Sequence, residues 1–192
     1  MLTMKEAVEA KEKIMLAAAQ LMEESGGNPD TVTTRAIAEK AGVGIGLINY
    51  HFQTKENLIE LCVQQIIGNV IYQFKPDGIE HLKGSELLSV VVKMVADFLT
   101  ENPSVSRISI LGDFKLPKSM DNTMKTVKGF CSSLIECDLS EQEKNLLAFT
   151  ITSVLQAMFL RKEISKELFG FDFNNKSERD SFIDFLIKRT IR

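Results

Sequence analysis

An all-α fold follows from the sequence on three grounds. Apolar residues recur at three- and four-residue steps along most of the chain, and no run shows the strict alternation of a half-buried strand. Of the 192 residues, 44% are apolar and 26% charged, with 12 Phe, 2 Tyr and no Trp, which excludes a disordered or collagen-like chain. A chain this long can bury about 70% of its extended surface, so its helices can share a core without disulfide or metal. The length allows one domain, or a small one joined to a medium one, and excludes multidomain machinery.

The first helix, over about 3–25, places Ile14, Ala17, Ala18, Leu21 and Met22 on one stripe, and Gly26-Gly27-Asn28-Pro29 stops it. Thr33-Thr34 caps a short second helix that turns Ile37, Ala38 and Ala41 inward, and Gly42 supplies the left-handed residue that ends it. A third helix follows over about 44–51. Lys55 opens a long one reaching about Phe74, where Lys75-Pro76-Asp77-Gly78 punctuates it. Further helices are expected over about 85–100, 103–113 and 119–136, the second with Pro103 in its first turn.

Ser140-Glu141-Gln142-Glu143 fits a capping box, so a helix starts there and runs to about Lys162. Leu147, Ile151, Val154, Leu155 and Met158 share one face of it, while Leu146, Phe149, Ala157 and Leu160 cover the rest, so both sides need cover and one is expected to face another subunit. Ser177-Glu178-Arg179-Asp180 caps a last helix carrying Phe182, Phe185 and Leu186, with Ile183 and Ile187 on the neighbouring row.

Several classes of function are excluded early. Cys62, Cys131 and Cys137 are odd in number and lie at no metal-ligand spacing, which predicts reduced thiols, no metal and no cofactor in a cytoplasmic protein. The N-terminus runs into charge rather than an apolar segment, so no signal peptide is expected, and no uncharged stretch reaches the roughly 18 residues of a membrane span. With only His51 and His81, no Gly-x-Ser-x-Gly, no paired His-Glu-x-x-His and no phosphate loop, an enzyme is not expected.

The informative segment is Thr33 to Leu58, TTRAIAEKAGVGIGLINYHFQTKENL. Two short helices joined by a Gly-containing turn cannot bury themselves, and the first helix completes a three-helix core: a helix-turn-helix. With Ile48 and Phe52 pointing into that core, the 100° step per residue sends Gly46, Leu47, Asn49 and Tyr50 outward, with Ile45 at the rim.

On Gly42-Val43-x-x-Gly46-Leu47-Ile48-Asn49-Tyr50-His51-Phe52-x-x-Lys55-Glu56-x-Leu58, the chain resembles the TetR family of bacterial transcriptional regulators, the match covering about Ile14 to Leu61. The resemblance implies an all-α homodimer with a helix-turn-helix DNA-binding domain over 1–54, linked by the helix from Lys55, and a ligand-binding and dimerisation domain over 55–192. A two-fold dimer predicts a pseudo-palindromic double-stranded operator, and the expected function is that of a repressor released by a small, mostly apolar effector. Carried onto these residues, Thr33 or Thr34 anchors phosphate at the start of the second helix. Arg35 contacts base or phosphate. Ile45, Gly46, Leu47 and Asn49 face base edges, and Tyr50, His51 and Lys55 hold phosphates. Two departures stand out: Gly44 replaces the family's usual Ser or Thr cap, and Ile45 its frequent polar residue, which suits Ile45 and Leu47 to thymine methyls and leaves hydrogen-bond readout to Asn49 and Arg35.

Charge sets a boundary on that reading. Residues 1–66 hold six Lys or Arg against nine Asp or Glu, so no broad basic surface draws DNA from afar. In the C-terminal region Phe98, Phe114, Met120, Met124, Phe149 and Met158 are candidates to line an apolar ligand cavity, since Met and Phe adapt to such sites. Arg107, between apolar neighbours, is expected to point to solvent. An alternative is a DNA-binding adaptor of the same fold that docks a protein partner and binds no small ligand.

Overall fold

The structure, a computed structural model, describes residues 4–26, 28–73 and 78–191. Among the described residues are ten α-helices and no strand: α1 (Met4–Glu24), α2 (Thr34–Ala41), α3 (Ile45–Phe52), α4 (Lys55–Gln73), α5 (Gly84–Glu101), α6 (Pro103–Lys115), α7 (Asn122–Ser133), α8 (Glu141–Leu160), α9 (Ser165–Phe169) and α10 (Lys176–Thr190). A single 3-10 turn, Lys162–Ile164, precedes α9. The expected end of the fourth helix at Phe74, the breaker Lys75-Pro76-Asp77 and Gly27 lie outside the described residues. The chain forms two compact units, one of residues up to 70 with 104–115, the other of 71–103 with 116 onward.

In the first unit the apolar stripe of α1 closes over the two short helices. Ile14, Ala17, Ala18 and Met22 are buried with Ile37 and Ala38 of α2, Ile48 and Phe52 of α3, and Leu58, Ile59, Cys62 and Val63 of α4. Each large side chain removed from water here contributes roughly 1.5–3 kcal/mol, and eight-residue helices are too short to be stable without such packing. Thr33 caps α2 by accepting the Ala36 N–H at 3.1 Å, and Gly42 ends it at φ 66°. Against α4, α6 presents small and polar groups: Gln64 Nε2 donates to the Ser109 carbonyl at 3.3 Å and to Asp113 Oδ1 at 2.8 Å. A Cβ on Gly112 would stand 3.0 Å from Glu60 Oε1, so glycine permits this approach.

In the second unit α5, α7, α8 and α10 enclose Leu88, Val92, Ala96, Val127, Phe130, Ile151, Leu155, Phe159, Ile183 and Ile187. The capping box at Ser140 is present: Glu143 N–H donates to Ser140 Oγ at 3.3 Å, and Ser140 N–H returns to Glu143 Oε2 at 2.8 Å. Other expectations are corrected. The seventh helix is shorter than 119–136 because Asp121 caps it, accepting the Met124 N–H at 2.8 Å while its other oxygen takes the Lys118 N–H into a turn. Ser177 does not cap the last helix. Asn175 does, accepting the Glu178 N–H at 3.1 Å, and Glu178 reaches back to the Asp172 N–H. The inward row of α10 is Arg179, Ile183 and Ile187, whereas Phe185 is exposed. Helix α9, ended by Gly170 at φ 78°, carried no sequence signal that was read.

Candidate nucleic-acid interface

The candidate surface is built by α3 and its two flanking turns. Ile48 and Phe52 are buried, four residues apart, and this fixes the rotation of the helix about its axis. The same rotation leaves Gly44, Ile45, Gly46, Asn49 and Tyr50 exposed, Tyr50 at 76%, with Leu47 and His51 half-buried. Gly44 caps α3 without a side-chain bond, its carbonyl accepting the Leu47 N–H at 2.9 Å. A Cβ on Gly46 would meet no heavy atom within 4 Å, so nothing inside the fold requires glycine there. The missing side chain instead lowers the outer surface of the helix, where another backbone can approach.

His51 is placed differently from its neighbours. Its ring meets Tyr50 edge-on at 5.1 Å and lies 6.1 Å from Phe52, and its Nε2 is buried without a hydrogen-bond partner. Nε2 is therefore turned away from the outward face.

The nearby cations are already engaged. Arg35 Nε pairs with Glu39 Oε1 at 3.0 Å one helical turn on, both side chains largely exposed. Lys55 Nζ donates to the Pro29 carbonyl at 3.2 Å, which ties the start of α4 to the α1–α2 loop. Lys40, which the sequence reading passed over, pairs with Glu24. Helix α3 carries no acidic residue, so the net acidity of this part of the chain does not fall on the exposed face. Thr33 Oγ1 is occupied by its capping bond, leaving the first-turn N–H groups of α2 as its anion-facing donors. The sequence reading also missed Thr54, whose Oγ1 accepts the Asn57 N–H at 3.1 Å and caps α4; Thr followed by a Lys-Glu first turn was the available signal.

The six ligand candidates fall in different settings. In the second unit Met158 is buried, Phe98 and Met124 are half-buried, and Met120 and Phe149 are exposed. Phe114 is exposed in the first unit. Buried on α8 near this set, Gln156 donates from Nε2 to Thr123 Oγ1 at 2.9 Å, and its Oε1 has no partner. Arg107 points to solvent as expected. Among the described residues no group of three or more His, Cys, Asp or Glu could hold a metal ion, and no helix is long and apolar enough to cross a membrane.

Residues 14–62 match the family model described as bacterial regulatory proteins, tetR family. A 112-residue stretch is 26% identical to an HTH-type transcriptional regulator of Staphylococcus aureus (strain bovine RF122 / ET3-1), spanning 58% of this chain and 60% of that protein. A 72-residue stretch is 39% identical to the HTH-type transcriptional dual regulator CecR of Shigella flexneri, spanning 38% of this chain and 31% of that one. The chain thus spans less than two thirds of the length of the curated relatives it matches. A TetR transcriptional regulator from Rhodococcus sp. RHA1, known as a crystal structure, aligns over 97% of both chains at TM-score 0.58 and 16% identity, a shared fold.

Proposed function

We propose, from the match of residues 14–62 to the tetR family of bacterial regulatory proteins and the similarity to HTH-type transcriptional regulators, that this chain is a ligand-responsive transcriptional repressor whose dimer binds a pseudo-palindromic operator. The observation that carries this reading is the split of α3 between buried Ile48 and Phe52 and an outward face of Ile45, Gly46, Asn49 and Tyr50 free of negative charge. An exposed helix of this shape suits the major groove, where a carboxamide such as that of Asn49 can bond adenine N6 and N7 together. In this reading Leu47 and Ile45 meet thymine methyls, Tyr50, Lys55 and the N-terminus of α2 from Thr33 and Thr34 hold phosphate, and Arg35 leaves Glu39 to do the same. His51 reaches phosphate only after its ring turns.

The functional partition follows the same reading: 1–54 reads DNA, and 55–192 binds the effector and the second subunit. Exposed Leu146 and Phe149 on α8 and Phe185 on α10 support a two-fold interface made by those two helices, since cyclic dimers are the commonest closed assembly. Phe98, Met124 and Met158 are the candidates retained to line the apolar part of an effector site in the second unit. The effector lowers DNA affinity by binding more tightly to the form with the wrong head spacing, and operator lowers effector affinity by the same factor.

The test is selection of duplexes from a random-sequence library by the full chain, with sedimentation at micromolar concentration. An inverted repeat with half-sites about 34–36 Å apart, bound by a dimer, is expected. A monomer, or the absence of any enriched sequence, refutes the reading.

A further inference from the structure

The junction between α3 and α4 is unusual in its backbone. Two residues, Gln53 and Thr54, connect the helices, and Gln53 stands at φ 66°, ψ −53°. Among the described residues it is the one non-glycine residue with positive φ. At the end of α2 the chain uses Gly42 for its left-handed residue, as helices commonly do. At the end of α3 it bends a glutamine into a three-residue γ-turn instead, the Thr54 N–H closing onto the Phe52 carbonyl at 2.7 Å. Such a conformation persists only where the surroundings over-determine it.

The surroundings that hold it come from Asn57. Its Nδ2 donates to the same Phe52 carbonyl at 2.9 Å, so one oxygen at the end of the outward-facing helix receives two N–H groups. The Asn57 backbone N–H is held by Thr54 Oγ1 at 3.1 Å, which fixes the side chain's origin. In a capping box the residue at this third helical position accepts a bond from the cap. Asn57 donates upstream, across the junction, and couples the two helices rather than capping one. The Gln53 N–H completes the arrangement by closing the last turn of α3 on the Asn49 carbonyl at 2.9 Å, directly behind the side chain placed against the bases.

We infer that Asn57 is a positioning residue for sequence readout: with the strained turn at Gln53 it fixes the pitch of α3 relative to α4, and through it the aim of Asn49 and Tyr50. The inference rests on the DNA-reading proposal. Asn57 is exposed on α4, so its replacement is compatible with folding.

The experiment uses the full chain, a duplex selected by the wild type from a random library, and a scrambled duplex of the same composition. Asn57→Leu keeps the shape of the side chain, removes the donor and is the better helix former. Asn57→Gln returns an amide donor on a longer arm. The expected result is a loss of about tenfold or more on the selected duplex for Asn57→Leu, with less than about twofold on the scrambled one, at unchanged helix content. Asn57→Gln should recover part of that discrimination. Equal losses on both duplexes, or none, overturn the positioning role while leaving DNA reading intact. Failure of the wild type to select any duplex overturns both.

Discussion

Replacing Asp97 by Asn should destabilise the second unit far more than its exposed-looking ion pairs suggest. The reason is Arg179, which lies on the inward row of α10 with only 4% of its side chain exposed. Its Nη2 pairs with Asp97 Oδ1 across to α5 at 2.5 Å, Nη1 donates to the Phe173 carbonyl at 2.9 Å, and its Nε is buried without a partner. Asp97 is thus the carboxylate that neutralises a buried guanidinium. Removing one charge of a fully buried pair costs about 3–5 kcal/mol. Asp97 retains 27% exposure and the substituted amide keeps one acceptor oxygen, so a loss of about 2–3 kcal/mol is expected. Lys176, which also pairs with Asp97 but is 62% exposed and has Asp180 at 3.3 Å as a second partner, gives the contrast: Lys176→Met should cost less than about 1 kcal/mol. Urea unfolding followed by the helical signal, at fixed chain concentration, separates the two. A D97N loss below about 0.5 kcal/mol, or a K176M loss as large as that of D97N, would refute the argument that the buried guanidinium sets the cost.

Acid extends the same test. Burial alone would raise the Asp97 carboxyl, but the hydrogen bonds from Lys176 and Arg179 and their charges hold it below its ordinary value. Asp184 behaves alike: burial raises it, and hydrogen bonds from Lys93 and Ser89 with the Lys93 charge bring it below the ordinary value. A carboxyl held low in the fold contributes stability that is complete above its unfolded pKa, about 3.9, and lost as pH falls through the folded value. Both join α5 to α10, so the second unit should weaken on acidification below about pH 4, and D97N should flatten that dependence. A pH profile of D97N as steep as the wild type's would count against it.

The remaining expectations concern the reader and one thiol. Asn49→Ala should cost about 1–3 kcal/mol on the selected duplex and relax one position per half-site, whereas Lys55→Ala should weaken selected and scrambled duplexes alike; fluorescence anisotropy at fixed salt distinguishes the two patterns. Gly46→Ala should keep thermal stability or raise it by up to about 1 kcal/mol, because the new Cβ meets open space and alanine is the better helix former, yet lower DNA affinity; a stable variant with undiminished binding would show that no backbone approaches there. Burial pushes the Cys62 thiol up to about 12, so it should stay unreactive to a disulfide reagent in native buffer at pH 8 and react on unfolding, which a thiol titration measures.

The reader was legible because its constraints are local. Thr33, Gly42 and the Ile48/Phe52 pair each act within one turn, and two eight-residue helices with one buried row apiece leave a single orientation that hides the apolar side chains. The ends of α7 and α10 were misread where two cap candidates compete within a few residues. Asn175 wins over Ser177 because Glu178, three residues after it, also takes the Asp172 N–H, and because starting the helix at Lys176 puts Arg179 opposite Asp97. That partner is 82 residues away, and no local pattern contains it. The burial of the apolar candidates of the second unit was not legible for a related reason: α8 is apolar all round, so spacing cannot separate buried Met158 from exposed Phe149.

The electrostatics of the reader follow from the same division between local and distant information. A count over 1–66 gives net acidity, yet α3 carries no acidic side chain, and Arg35, Lys40 and Lys55 are occupied by Glu39, Glu24 and the Pro29 carbonyl. Under the DNA-reading proposal, a phosphate at Arg35 or Lys40 competes with a carboxylate already paired there, whereas Lys55, bonded to a neutral carbonyl, keeps its charge and further N–H donors. On that proposal, displacing Glu39 or Glu24 returns a carboxylate to water while the phosphate sheds its counterion, so the expected gain at those two cations is small and falls with salt. Weak sequence-independent binding is what the proposal then predicts, and titration of the scrambled duplex measures it. On the same proposal discrimination is expected to rest on the uncharged residues of α3 and on the rigidity of the junction that aims them, because neither is lost when ionic strength screens the cations.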